Sequence, residues 1–324
     1  MQWTRGSVRV VQAEEFRVEL TGYAYRMLGS GSEAEDAVQE TLLRAWRQAD
    51  RFDAGRGSLR TWLYSIATNV CLDMLRGAGR RARAVDLGPA AQAGSPIGAP
   101  LPESAWVRPI EDGRVLPGCE DPAEQAVRRE SVRLAFVAAL QRLSPRQRAV
   151  LILRDVLGWH ADEVAGLLDA SVASVTSALQ RARAALRRDA PVAPLDPEAA
   201  ALLDRYCRAF ERYDVAAMVA LLHEDATMSM PPFAWWLRGR DEIATALRHG
   251  DGSCRGARLV PVAANGTTAY RQERPTGPGG GYEPFALMFF ETAGGRITEI
   301  TTFLEEPRVW HGEPRAVWVG AERS

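Results

Sequence analysis

The sequence predicts a multidomain protein: two all-α modules, one a helical bundle and one a helix-turn-helix, joined by a flexible linker and followed by an α+β domain. Three observations carry this. Residues 140–188 read as helix, glycine break, short helix, three-residue turn and long basic helix. Residues 85–126 hold seven prolines and several glycines without sustained periodicity. Beyond residue 196, helix-like stretches give way to five strand-like runs. The expected domains are 1–84, 85–126, 127–190 and 196–324, which suits a chain of 324 residues.

The first module is helical. Phe16 to Leu28 is amphipathic, and Gly29 to Ser32 forms a break. Ser32 then starts a helix with Glu33, Glu35 and Asp36 in its first turn, where acids suit the helix dipole. Ala34, Val38, Thr41, Leu42 and Ala45 make its buried stripe. The far face carries Asp36, Gln39, Glu40, Leu43 and Arg47, and an apolar leucine among charges hints at a contact surface. After the loop RFDAGRGS comes a helix from Leu59 to Arg76. Leu59, Trp62, Leu63, Ile66 and Val70 are its core candidates; Arg60, Thr61, Tyr64 and Thr68 point away, with Asn69 at the edge. Aromatic and basic residues on one helix suit unpaired DNA bases, which stack on rings. The plainer alternative makes Trp62 and Tyr64 core and rim.

The segment 85–126 stays extended or disordered unless a partner orders it. It also carries a net charge of −5, between a first module of +3 and a second of +5, with −4 on residues 196–324. Two basic modules flanking an acidic segment speak of partners rather than of fold. All 40 basic residues are arginine.

In the second module the last helix is the informative one. Val172, Val175, Leu179, Ala182 and Leu186 share a face, set to pack on Val164, Leu167 and Leu168 of the helix before. The opposite face holds Ala173, Ser174, Ser177, Arg181, Ala184 and Arg188, with Gln180 and Arg183 beside it. Small residues come first, so the helix start approaches base edges closely. Arginines come later, where phosphates lie. Ser171 is placed to cap the helix. A solvated basic face would give a similar pattern, but turn spacing, small-residue start and one-sided charge together favour DNA.

The third domain starts with helices at Glu198–Arg212 and Val215–Leu222. Strands are expected at Ala226–Met230, Arg258–Ala264, Thr267–Gln272, Pro284–Glu291 and Ile297–Leu304, with GRDEIATALRHG as a third helix. Met228, Met230, Phe233, Trp235, Trp236 and Phe289 could line an apolar cavity for a small apolar ligand, though ordinary core is the simpler reading of any one of them. His223, Glu224, Asp225 and Tyr206 are acid/base candidates, but nothing pairs them by spacing, so a regulatory module is preferred to an enzyme.

Cys71, Cys119, Cys207 and Cys254 are scattered, without metal-ligand spacing, so no metal or cofactor is expected. No apolar run is long enough to span a membrane and no signal-peptide pattern opens the chain, which points to the cytoplasm.

Three ordered blocks resemble a known family. EAEDAVQETLLRAWRQ, GSLRTWLYSIATNVCLDMLR and LSPRQRAVLILRDVLGWHADEVAGLLDASVASVTSALQRARAAL are similar to the signature blocks of sigma-70 factors, above all the extracytoplasmic-function (ECF) group. The likeness covers about residues 12–188 except the linker, and the added C-terminal domain resembles an actinobacterial subgroup. It implies that Asp36, Gln39, Glu40, Leu43 and Arg47 dock on the β′ clamp helices of core RNA polymerase. It implies that Phe52, Arg56, Ser58, Arg60, Trp62, Asn69 and Arg76 melt and read the −10 promoter element. Residues 140–188 would bind the −35 element and the β flap, and the acidic linker would thread toward the polymerase active site. The order of elements after residue 196, with HEDATMSMPPFAWWLRGRDEI, resembles the SnoaL-like cone fold, a curved sheet around a pocket. The expected function is promoter-specific initiation regulated in cis by the C-terminal domain. The alternative is a stand-alone helix-turn-helix regulator with a ligand-binding domain, which has no use for the first module or the acidic linker.

Overall fold

Local chemistry sets the helix ends. The computed structural model describes residues 13–186 and 197–304, apart from Arg56, Ala78, Arg80, Cys119, Glu120, Asp251, Ser253, Pro278 and Gly279. Helix α1 (Arg17–Leu28) stops at Gly29, whose φ of 74° favours glycine and lets its N–H reach Tyr25 O at 2.7 Å. Helix α2 (Gly31–Arg47) is capped by Ser30, two residues before the expected Ser32; its Oγ accepts from Glu33 N. Helix α3 (Leu59–Met74) is capped by Ser58, which accepts from Thr61 N at 3.0 Å.

The chain divides into two compact units, each assembled from separate stretches. Among the described residues, 13–81, 104–186 and 264–266 form the first; 82–103, 197–263 and 267–304 form the second.

In the first unit α4 (Pro122–Glu130) and α5 (Leu134–Leu140) precede the helix-turn-helix. The latter begins with α6 (Pro145–Leu151), where Ser144 and Gln147 form a capping box around Pro145. After Gly158 come α7 (Ala161–Leu167), a turn with Asp169 at φ 48°, and α8 (Val172–Leu186). One continuous core runs through both sequence modules, from Leu20, Tyr23 and Met27 to Val150, Val164, Val175 and Leu179. This explains a departure from the periodicity reading. Tyr64 and Thr68, expected to point outward, are fully buried, because Trp159 packs on Tyr64 at 5.1 Å and Tyr23 meets it edge-on at 5.2 Å.

Two arginines are buried in that core and bonded to neutral acceptors. Arg26 donates to Ser131 Oγ at 2.7 Å and Gly22 O at 2.6 Å, and burial pulls its pKa down to about 10. Arg148 donates to Met27 O and, at 2.6 Å, to Gln141 Oε1. Neutral oxygens accept from both guanidinium groups, which offsets part of the cost of burying their charge.

The segment 104–116 adds Trp106, Val107, Ile110 and Val115 to the buried residues of this unit. The turn Ala264–Gly266 belongs here too. Asn265 is fully buried at φ 51°. Its Nδ2 donates to Tyr25 Oη at 2.6 Å and Val132 O at 2.7 Å, while its Oδ1 accepts from Ile110 N at 2.9 Å. Gly266 lies so close to Arg129 O, 2.2 Å from where a Cβ would stand, that no side chain fits.

The second unit is an α+β fold. Its helices are α9 (Pro197–Glu211), α10 (Val215–Ala220) and α11 (Arg240–His249). Its strands are β1 (Leu222–Ser229), β2 (Trp236–Arg238), β3 (Arg258–Ala264), β4 (Thr267–Pro275), β5 (Tyr282–Ala293) and β6 (Arg296–Leu304). They form one sheet in the order β2-β1-β6-β5-β4-β3, with β1 and β6 parallel. Register shifts in β1, β4 and β5 bend the strands. Leu202, Leu203, Tyr206 and Phe210 of α9 share a core with Met288, Phe290, Ile297 and Ile300 of the sheet. Short β2, three residues between a proline pair and a glycine, escaped the sequence reading.

The segment expected as linker is irregular over most of its length, but Asp112–Val115 forms a helical turn and its last residues open α4, and the chain itself supplies what orders it. Residues 82–103 belong to the second unit, where Ala91 bridges to Leu237 and Pro100 to Phe233.

Candidate nucleic-acid interface

The surface of α8 separates into two faces. Val175, Ala178, Leu179 and Ala182 are buried. Ser171, Ala173, Ser174, Gln180, Arg181, Arg183 and Ala184 are exposed and Ser177 is half-buried, so these expected readers share solvent access. Ser171 Oγ accepts from Ser174 N at 3.2 Å, as a cap should. Val172 differs from expectation: it is 47% exposed, because the packed face begins one turn later at Val175. An exposed valine at the helix start supplies an apolar contact of the kind that meets a thymine methyl. Arg181 donates to Ser177 Oγ at 2.6 Å, whereas Arg183 is paired with Asp155 at 2.6 Å. Arg188 lies outside the described residues. Arg146 braces the motif by donating to Leu168 O at 2.7 Å.

The first module offers a second surface. Asp36, Gln39, Leu43 and Arg47 are exposed on α2, with Glu40 half-buried and bonded to Arg44 at 2.6 Å. The sequence reading missed Trp46, which is 59% exposed one position short of Arg47. Its signal was present: a tryptophan outside the buried stripe of an amphipathic helix. With Ala13, Leu42, Ala45, Ala49, Leu59 and Trp62 it lines a shallow, open apolar groove.

The expected −10 readers are split. Phe52 and Trp62 lie together with ring centroids 5.2 Å apart, at the loop–helix junction that Ser58 caps. Asn69 and Arg76 are exposed, Arg76 being 3.3 Å from Asp73. Arg60 is turned inward. It pairs with Glu19 at 3.0 Å and its guanidinium lies 5.2 Å and 5.6 Å from the ring centres of Tyr64 and Trp159. Arg56 lies outside the described residues.

In the second unit the six expected cavity residues also divide. Phe233 and Trp235 belong to the core cluster, with Met228 and Met230 against it. Trp236 and Phe289 stand outside that cluster by strand alternation: Trp236 Nε1 donates to Gly88 O at 3.0 Å, and Phe289 meets Phe303 edge-on at 5.8 Å. Of the acid/base candidates, Tyr206 is buried against Phe290 and Phe210, and burial raises its pKa. His223 Nδ1 accepts from Asp225 N at 3.1 Å. Glu224 and Asp225 are exposed, and Asp225 lies 4.0 Å from Arg238. Among the described residues no cluster has the composition of a metal site, and no helix is long and apolar enough to cross a membrane.

Comparison with known proteins agrees with this division. Residues 13–81 match the sigma-70 region 2 family, residues 133–186 match sigma-70 region 4, and residues 203–300 match the SnoaL-like domain. The chain is 43% identical over 307 residues to the ECF RNA polymerase sigma factor SigG of Mycobacterium tuberculosis, covering 90% of this chain and 80% of that one. It is 30% identical over 244 residues to SigJ of the same organism, covering 73% and 71%. The crystal structure of SigJ aligns with a TM-score of 0.59 at 24% identity, over 94% of this chain and 100% of that chain.

Proposed function

Since the chain belongs to the ECF group of sigma-70 factors, which bind core RNA polymerase and direct initiation at promoters, we propose the residue roles by which it does so. Ser171, Val172, Ala173, Ser174, Ser177, Gln180 and Arg181 read the −35 element, with Arg183 and Arg188 on phosphates. Phe52, Arg56, Ser58, Arg60, Trp62, Asn69 and Arg76 capture and read the melted −10 strand. Asp36, Gln39, Glu40, Leu43, Trp46 and Arg47 dock on the polymerase clamp. The melting needs no chemistry: stacking is exchanged for protein contacts at roughly a few kcal/mol per flipped base. The protein therefore acts by binding alone, in the cytoplasm where polymerase and promoter are, and residues 196–324 regulate that binding in cis.

The observation that carries this reading is the inward turn of Arg60 in a unit whose two readers share one core. The two promoter elements stand about 25 base pairs apart, roughly 85 Å of duplex at 3.4 Å per step. A compact unit of roughly 170 residues has a radius of gyration of only about 15–16 Å. Region 2 and region 4 must therefore part on the promoter, and parting frees Arg60 from Trp159. The free chain then binds promoters weakly, and core polymerase makes binding strong by holding the regions apart. Run-off transcription with purified core polymerase tests this. Transcript from a cognate promoter only when both are present is expected; tight, specific operator binding by the chain alone at physiological salt would overturn it and favour a stand-alone regulator.

A further inference from the structure

The tie between region 2 and region 4 has a part that the second unit holds with a light grip. Residues 82–103 run along the edge of its sheet, on β2 and the turn before it. Ala91 N donates to Trp236 O at 2.8 Å and Leu101 N to Pro232 O at 2.8 Å. Trp236 Nε1 returns a bond to Gly88 O at 3.0 Å, and Ala93 N donates to Glu242 Oε2 at 2.6 Å. Ala91, Ala93, Ser95 and Ile97 are half-buried while Gln92, Gly94, Pro96 and Gly98 are exposed, so alternate side chains turn inward along a segment that meets the sheet only by single bridges at Ala91 and Pro100. Apart from Ile97, which packs against the core with Ala91 and Ala93, the inward side chains are small. Main-chain hydrogen bonds therefore supply most of the attachment, and little apolar surface is lost when it peels.

The attachment also stores chain. Ten steps of backbone separate Ala91 from Leu101, yet the acceptors that hold them, Trp236 and Pro232, are only four steps apart. Extended, the first stretch reaches roughly 34 Å and the second at most about 14 Å. The excess is slack, taken up between the two bridges by the turn in which Ser95 N donates to Gln92 O at 3.0 Å and by Gly94 and Gly98, both with positive φ.

We propose that residues 82–103 are a releasable strap: docked on the β2 edge they shorten the tie between region 2 and region 4, and their release supplies the reach that the two regions need on a promoter. This rests on the reading that the regions part there. The strap is thereby the element through which the C-terminal domain sets the activity of the chain, and anything that tightens it on the β2 edge represses.

Hydrogen–deuterium exchange on the full-length protein, free and as promoter-bound holoenzyme, tests the proposal. In the free chain the amides of Ala91, Ala93 and Leu101 should be protected. In the promoter complex they should exchange freely while β5 and β6 keep their protection. Ala91→Pro removes one strap N–H and should shift the balance toward release about fivefold, the worth of one net hydrogen bond. A disulfide clamp, Ala91→Cys with Leu237→Cys, should abolish run-off transcript when oxidised and restore it on reduction. Strap amides that stay protected in a complex that makes transcript would overturn the proposal, as would full transcription by the oxidised clamp. A wild-type chain that gives no transcript with core polymerase would instead break the sigma reading on which the proposal stands.

Discussion

Two stretches of the linker, both without periodicity, have opposite fates. Residues 104–116 bury Trp106, Val107, Ile110 and Val115, with Ile110 pressed on Gly31 so closely that a Cβ there would stand 3.1 Å from its Cδ1. Residues 82–103 offer the sheet edge mostly alanine, serine and one isoleucine. Residues 82–103 hold four prolines and three glycines, residues 104–116 one of each, and neither half shows sustained periodicity. What separates them is a handful of large apolar side chains: where these exist the segment becomes core, and where they do not it becomes a strap. Composition averaged over forty residues hides that difference.

The comparison can be broken most directly by truncating one large side chain in each half. Ile110→Ala should destabilise the first unit by about 2–4 kcal/mol, while the half-buried Ile97→Ala should cost under about 1 kcal/mol. Urea unfolding of the two variants decides, and equal losses would mean that both halves are held alike. Next in size is Asn265→Ala, which removes three hydrogen bonds and leaves Ile110 N and Val132 O without their partner. A loss of about 2–3 kcal/mol is expected in the same measurement. Arg181→Ala leaves stability unchanged and should weaken −35 binding by about 1–3 kcal/mol in a sequence-dependent way. Arg183→Ala, which removes a group paired with Asp155, should weaken binding uniformly across sequences. Equal sequence dependence for the two arginines would remove Arg181 from the readout. Smallest is a test of rigidity near the shared core. Burial pushes the Cys71 thiol up to about 12, so it should resist alkylation at pH 8 while the regions stay together. Rapid labelling of Cys71 in the free protein, read by mass spectrometry, would show the first unit to be looser than its buried side chains imply.

Much of this architecture is legible from periodicity and caps. Arg258–Ala264 is the same in sequence and structure, and α8 shows its packed face from Val175 onward because hydrophobic spacing fixes a helix rotation to within one residue. At its first residue that precision fails, and Val172 falls on the wrong side. Tyr64 and Thr68 were misplaced for a different reason. Periodicity describes one helix against one core, and α3 is covered on a second face by a tryptophan 95 residues further along the chain. Asn265 is the extreme case. The Asn-Gly pair between two strand-like runs is a hairpin signal in sequence. That the asparagine would be buried against Tyr25, 240 positions away, is written nowhere near it. Of the residues proposed to face DNA, the exposed ones on α8 were readable because a charged face needs no partner to define it. The inward turn of Arg60 was not, because Glu19 and Trp159 define it together.

The interleaving of the two units has a consequence in time. The first unit needs residues 264–266, which leave the ribosome roughly 80 residues after the end of α8. At about 5–20 residues per second that delay is roughly 4–16 s. During it, a nascent chain carries both promoter readers complete while Asn265 has yet to be made and the β2 edge is only partly built. Each newly synthesised molecule thus passes once, while still tethered to its ribosome, through an age at which neither late-made fastening holds it. A polymerase that meets it then finds a chain with more freedom than any finished copy.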